Sequence, residues 1–198
     1  MLSKIETNDR WRIQLRQRRA QLSLIEQQHA SQRVVNQLLA HPLFINSQHI
    51  AGYLASEGEI NMQALFESSW QQAKVCYLPT VLKQTLVFTP YQSHTSLIPN
   101  RWGILEPHTP TTQTHQPLIA LDLVLLPLIA FDAQGHRLGR GAGYYDRSFS
   151  FLLMEPKPTR PYMIGLAYDW QRVDSLLAAA WDVPLDAIVT DKKCYLVR

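Results

Sequence analysis

The chain has 198 residues, 46% of them apolar and 18% charged, which is the composition of a globular domain with a core and excludes a disordered chain. The formal net charge of +3 does not by itself argue for a nucleic-acid partner. The exception is local: Lys4, Arg10, Arg12, Arg16, Arg18 and Arg19 stand against only Glu6 and Asp9 in the first twenty residues, which leaves the remainder near neutral.

In chain order, Thr7 to Leu22 is predicted as a helix, with Trp11, Leu15 and Leu22 near helical spacing and arginines on the other faces. Ser23 with Glu26 has the capping-box pattern and opens a second helix running to Ala40, before His41-Pro42. Gln48–Ala55 is expected as a buried strand, Ser56-Glu57-Gly58-Glu59 as a polar loop, and Asn61 as the cap of a helix to Ala73. Lys74–Leu78, ended by Pro79, and Thr85–Tyr91 are expected strands, and residues 92–118 are mostly loop. Leu121–Leu126, interrupted only by Asp122, is strongly apolar, as in a strand buried on both faces of a parallel sheet. After a glycine-rich loop, a helix runs from Gly143 or Tyr144 to Met154. Pro161–Ala167 and Asp186–Thr190 are strands around a helix at Trp170–Ala180, and Cys194–Val197 is a last edge. Strands alternating with helices imply an α/β fold: a three-layer α/β/α sandwich with a mostly parallel, Rossmann-like central sheet, in one domain over residues 1–198. Cys76 and Cys194 lie far apart in apolar runs, which suits buried thiols in a reducing compartment. No apolar stretch reaches bilayer length and the polar N-terminus has no signal-like run, so a cytoplasmic protein is expected.

Chemistry concentrates at Gly135–Asp146. Gly139, Gly141 and Gly143 alternate between the apolar strand region and a helix start. Such a backbone can turn several N–H groups toward one anion, beyond the carboxyl ends of the strands, and Arg137 and Arg140 add positive charge. The spacing is neither a Walker A loop nor a dinucleotide fingerprint, because the position that would need a third glycine is Tyr144. Tyr144, Tyr145 and Asp146 add stacking surface, hydroxyls and a carboxylate, although core packing explains the tyrosines equally well. No Ser-His-Asp or Cys-His set stands out, and the seven histidines have no zinc-ligand spacing.

The run Gly135-His136-Arg137-Leu138-Gly139-Arg140-Gly141-Ala142-Gly143-Tyr144-Tyr145-Asp146 resembles the signature of the 5-formyltetrahydrofolate cyclo-ligase family. The basic first helix, Tyr53-Leu54 with Glu57-Gly58-Glu59-Ile60, Trp102-Gly103-Ile104 with Glu106-Pro107, Asp122-Leu123-Val124 with Pro127, and Leu185-Asp186 follow in the family's order over nearly the whole chain. The resemblance implies conversion of a reduced folate, 5-formyltetrahydrofolate, to 5,10-methenyltetrahydrofolate, with ATP as co-substrate and Mg2+. It implies nucleotide contacts from Arg12 and from Arg137, Leu138, Gly139, Arg140, Gly141, Ala142, Gly143, Tyr144 and Tyr145. Folate contacts are implied at Leu54, Glu59, Trp102 and the stretch Arg140, Gly141, Ala142, Gly143 and Tyr144. Arg140 and Tyr144 belong to both sets and are the catalytic candidates, while Asp146 and Asp186 are the implied magnesium ligands. Many members carry lysine where this chain has Ala142, so some charge at the phosphates is absent or comes from Arg140 or Arg137; many also carry one where it has Asn8. A small-molecule substrate is expected, with no nucleic acid and no membrane, acting on a monomer.

Taken alone, Arg12, Arg16, Arg18 and Arg19 equally suit a solvated helix face, Trp102 a core anchor, Glu59 a surface carboxylate and Asp186 a turn. The competing functions are an RNA- or nucleotide-binding module built on the basic helix, and a sugar-phosphate enzyme on the same fold. The absence of RNP-like or zinc-knuckle motifs weighs against the first and the aromatic loops against the second.

Overall fold

The computed structural model describes residues 4–101, 103–108, 115–156 and 158–197, with side chains from Asn8 onward. The first half contains α1 (Lys4–Ala20), α2 (Leu24–Leu39), α3 (Pro42–Ile45), β1 (His49–Ala51), α4 (Gln63–Gln71), β2 (Val75–Leu82), β3 (Thr85–Tyr91), β4 (Leu97–Pro99) and β5 (Leu105–Pro107). The second contains β6 (Leu123–Pro127), β7 (Ala130–Phe131), β8 (Arg137–Leu138), α5 (Tyr144–Ser148), β9 (Tyr162–Ala167), β10 (Ala187–Thr190) and β11 (Cys194–Leu196).

Seven strands form one sheet in the order β11-β10-β9-β6-β1-β2-β3. The inner five are parallel, and β11 and β3 close the edges antiparallel. Successive residues point to opposite faces. Ile50, Cys76, Leu123, Leu125, Ile164 and Leu166 join Val34, Leu38, Leu65 and Phe66 of α2 and α4 in one cluster. Ala51, Tyr77, Val124, Leu126, Met163 and Ile188 join Phe149, Leu152, Val183 and Leu185 in another. Both faces are covered, which is why Leu123–Leu126 is apolar without alternation and why the three-layer fold expected from the sequence is the one found. The capping box is present: the Glu26 amide donates to Ser23 Oγ, and Glu26 Oε2 accepts from the Ser23 amide.

Two features build the end of the sheet where the strands finish. α1 packs through Leu15 on Ile129, Ala130 and Leu138 of the β7–β8 hairpin, just past the end of β6. β1 stops at Ala51 and not at Ala55, and α4 presses on the chain at the next residue, where a Cβ at Gly52 would lie 2.6 Å from Met62 Cε and 2.7 Å from Phe66 Cζ. Glycine alone lets α4 approach this closely, and the chain turns away toward Ser56–Glu59.

Other expectations need correction. β2 runs through Pro79 to Leu82, because β1 pairs only with Val75–Tyr77 and Pro79 has a partner on one side only. Residues 92–118 include the β4–β5 hairpin. α4 begins at Gln63, whose amide donates to Asn61 Oδ1. α5 ends at Ser148 and continues only as a 3-10 turn at Ser150–Leu153. The helix expected at Trp170–Ala180 is replaced by a 3-10 turn at Asp169–Gln171 and an irregular segment. Cys76 is buried and Cys194 half-buried, both as free thiols. No helix of the described residues is long and apolar enough to cross a membrane.

Candidate active site

Beyond β1, Glu57 and Gly58 take φ of +50° and +73°, and the Glu59 amide donates to the Ser56 carbonyl, so the chain reverses within four residues. The turn drives Glu59 inward to 7% exposure. Its Oε2 accepts from the Ser56 amide at 3.1 Å and from Ser56 Oγ at 3.3 Å, and its Oε1 accepts from Arg140 Nη2 at 2.8 Å. Arg19 comes from the last turn of α1 and is 2% exposed. Its Nε donates to the Glu57 carbonyl at 2.9 Å, and its Nη2 lies 3.8 Å from Glu59 Oε1 and from Glu57 Oε2. Burial lowers the Arg19 pKa, an effect the charge of Glu59 opposes. For Arg140 burial is outweighed by Glu59, through charge and hydrogen bond, and by Glu57, so its pKa rises. Glu59 is therefore a buried carboxylate between two guanidinium groups, neither a surface charge nor a helix-start residue.

Two phenols border this carboxylate. Tyr53 is buried, with its hydroxyl donated to the Ile60 carbonyl at 2.8 Å, and burial and then Glu59 raise its pKa well above the ordinary value. Tyr145 stacks on Phe149 and is raised by burial and then by Glu59. Both stay neutral hydroxyls at physiological pH. Leu54 is half-buried against the core cluster that contains Tyr53.

The glycine loop reaches this carboxylate through Arg140. Gly141 and Gly143 have φ of +100° and +66°, a backbone that side-chained residues adopt rarely. No hydrogen bond from the amides of Gly139, Arg140, Gly141, Ala142 or Gly143 occurs among the described residues. Arg12 reaches the loop from α1: its Nε donates to the Gly139 carbonyl at 3.1 Å, and its Nη1 pairs with Asp9 at 2.5 Å. Arg140 bridges the loop to the β1 turn, bonding Ser56 Oγ at 2.5 Å as well as Glu59. Arg137 donates to Asp146 Oδ1 at 2.5 Å and to the Val183 carbonyl. Tyr144 packs its half-buried ring against the core.

Asp146 Oδ1 also accepts from the Val183 amide at 3.1 Å. Asp186 precedes β10, and its Oδ2 accepts from the Met163 amide at 2.8 Å. No group of three or more His, Cys, Asp or Glu side chains that could hold a metal occurs among the described residues. Trp102 lies outside the described residues. Sequence reasoning missed Ser56, and it allowed a solvated face for Arg19; neither carries a local signal, since both are defined by contacts across the chain.

The chain is similar to known proteins along nearly its whole length. The family model described as the 5-formyltetrahydrofolate cyclo-ligase family matches residues 4–191. The 5-formyltetrahydrofolate cyclo-ligase of Escherichia coli K12 is 35% identical over 184 residues, covering 91% of this chain and 98% of the relative. That of Haemophilus influenzae is 38% identical over 177 residues, covering 88% and 92%. The solved structure of Aquifex aeolicus 5,10-methenyltetrahydrofolate synthetase superposes with a TM-score of 0.81 at 29% identity, covering 96% of this chain and 93% of that one. With a family model spanning nearly the whole chain and relatives matched along almost their full lengths, the chain belongs to the 5-formyltetrahydrofolate cyclo-ligase family, a family of ligases.

Proposed function

We propose that this chain uses ATP, with magnesium, to convert 5-formyltetrahydrofolate to 5,10-methenyltetrahydrofolate, releasing ADP and phosphate. Family membership supports the folate substrate. The observation that carries the ATP reading is the loop at 139–143, whose unbonded amides are flanked by Arg12, Arg137 and Arg140. The formyl oxygen is a poor leaving group, and ring closure must expel it. Attack of that oxygen on the γ-phosphorus, with ADP departing, turns it into a phosphate ester on an iminium carbon. The second folate nitrogen then attacks that carbon and loses its proton, and phosphate leaves carrying the former formyl oxygen. Such transfers need positioning and charge neutralisation more than a protein nucleophile.

In this reading Arg12 and residues 137–145 hold the nucleotide. Glu59 accepts hydrogen bonds from the donor edge of the pterin, and Leu54 and Trp102 border its flat ring. Arg140 and Tyr144 stand at the reacting centre, with Arg140 linking the carboxylate of the folate side to the phosphate side. Magnesium takes one or two carboxylates plus substrate phosphates. Asp146 fits: its two bonds fall on Oδ1, and Oδ2 makes none among the described residues. Asp186 is the second proposed ligand. Bound there, the ion would neutralise charge on the β- and γ-phosphates. An RNA-binding role for α1 is disfavoured, because Arg12 pairs with Asp9, Arg16 and Arg19 with Glu57, and Arg18 stacks on Trp170. The test is purified protein with ATP, magnesium and 5-formyltetrahydrofolate, followed by the near-ultraviolet absorbance of the methenyl product. Absence of an ATP-dependent signal at high enzyme concentration would overturn the reading.

A further inference from the structure

Arg147 lies on α5, one helical turn beyond the glycine loop, and its side chain folds back onto that loop. Nη2 donates to the Ala142 carbonyl at 2.8 Å, and Nε donates to the Gln84 carbonyl at 2.7 Å. The guanidinium carbon sits 5.2 Å from the centre of the Tyr144 ring. A Cβ added at Gly143 would lie 2.8 Å from Nη1, so the guanidinium fills the space beside that glycine. Three contacts thus fix a group that would otherwise sample many rotamers in solvent.

The other arginines around the loop are each matched to a carboxylate. Arg12 pairs with Asp9, Arg137 with Asp146 and Arg140 with Glu59. Among the described residues no ion pair includes Arg147, and its Nη1 makes no hydrogen bond. An uncompensated, positioned guanidinium therefore abuts the Ala142–Gly143 end of a loop whose five amides make no hydrogen bond among the described residues. A purely structural arginine tying α5 to the β2–β3 turn would need only the Nε bond to Gln84. It would not need to bring Nη1 and Nη2 against Gly143 and Ala142.

We propose that Arg147 is a further phosphate-binding residue of this loop and grips the β- and γ-phosphates of the nucleotide. The proposal rests on the reading of the loop as the nucleotide site. The experiment is calorimetric titration of the unaltered protein, Arg147→Gln and Arg147→Lys with magnesium and ATP, ADP or AMP, beside thermal melting of each ligand-free protein. A charge-assisted contact to phosphate on a partly exposed group is worth about tenfold in affinity. Arg147→Gln is therefore expected to weaken ATP about tenfold and ADP less, and to leave AMP within about twofold. Arg147→Lys should recover most of the loss. The ratio of ATP to AMP affinity, measured within each variant, cancels any partial loss of folded protein. An unchanged ratio in Arg147→Gln overturns the proposal and leaves the nucleotide site standing, as does an equal loss for ATP and AMP. Failure of the unaltered protein to bind ATP overturns the nucleotide site and this proposal together.

Discussion

Replacing Glu59 with Gln removes one negative charge where two guanidinium groups converge. Gln fills the same volume, but its amide group must face either Arg140 and Arg19 or the donors of Ser56, so at least one set of donors meets another donor. Arg19 would stay buried, keeping half-exposed Glu57 at 3.8 Å as its remaining carboxylate. Breaking a buried ion pair by removing one partner costs about 3–5 kcal/mol. Arg140 is partly exposed and can turn to water, and Glu57 still compensates Arg19, so the expected loss is about 2–3 kcal/mol. With a urea dependence on the order of 2 kcal/mol per molar, the unfolding midpoint should fall by about 1 M. Glu57→Gln is the control and should cost about 1 kcal/mol or less, as exposed ion pairs do. A Glu59→Gln midpoint within about 0.2 M of the unaltered protein would refute the picture of Glu59 as a buried, doubly compensated charge.

Three further outcomes are expected. At Asp122 the cost of burial is outweighed by the His49 and Gln48 amides and by Arg160, so its pKa lies below the usual carboxylate value. A depressed carboxylate stabilises the fold above its unfolded pKa and loses that contribution as pH falls through the folded value. Asp122→Asn should therefore cost about 1–2 kcal/mol at pH 7, and the gap to the unaltered protein should close below about pH 4; a gap constant with pH contradicts this. Gly52→Ala places a methyl against Met62 and the Phe66 ring and should destabilise by about 1–3 kcal/mol in denaturant titration; a neutral effect would mean α4 does not pack so closely. Asp146→Asn keeps an acceptor for the Val183 amide but loses the charge facing Arg137 and the charge proposed to bind magnesium. Turnover should fall on the order of 100-fold and recover partly at high magnesium, whereas near-normal turnover removes the metal assignment.

What was legible in the sequence was what local chemistry decides. Ser23 and Glu26 cap α2 because both partners lie within one turn, and Leu123–Leu126 announces a doubly covered strand by its unbroken apolarity. The segment at 170–180 failed for the opposite reason. Its Val173 amide donates to the Phe131 carbonyl, its Leu176 amide to Asp132 Oδ2 and its Ala179 amide to Asp182 Oδ2. Phe131 and Asp132, distant in the chain, and Asp182 just beyond the segment satisfy that backbone, so helical propensity does not decide its path. The site divides in the same way. The alternating glycines mark the loop from sequence alone. Burial of Arg19 and the bridge from Arg140 to Ser56 and Glu59 join residues far apart in the chain, and only the folded sheet brings them together.

The most direct test is a crystal structure with magnesium, a non-hydrolysable ATP analogue and 5-formyltetrahydrofolate. The expected result is the γ-phosphate within hydrogen-bonding distance of the amides of residues 139–143, with the formyl oxygen facing it. A triphosphate bound elsewhere, with those amides turned to partners within the protein, would contradict the assignment.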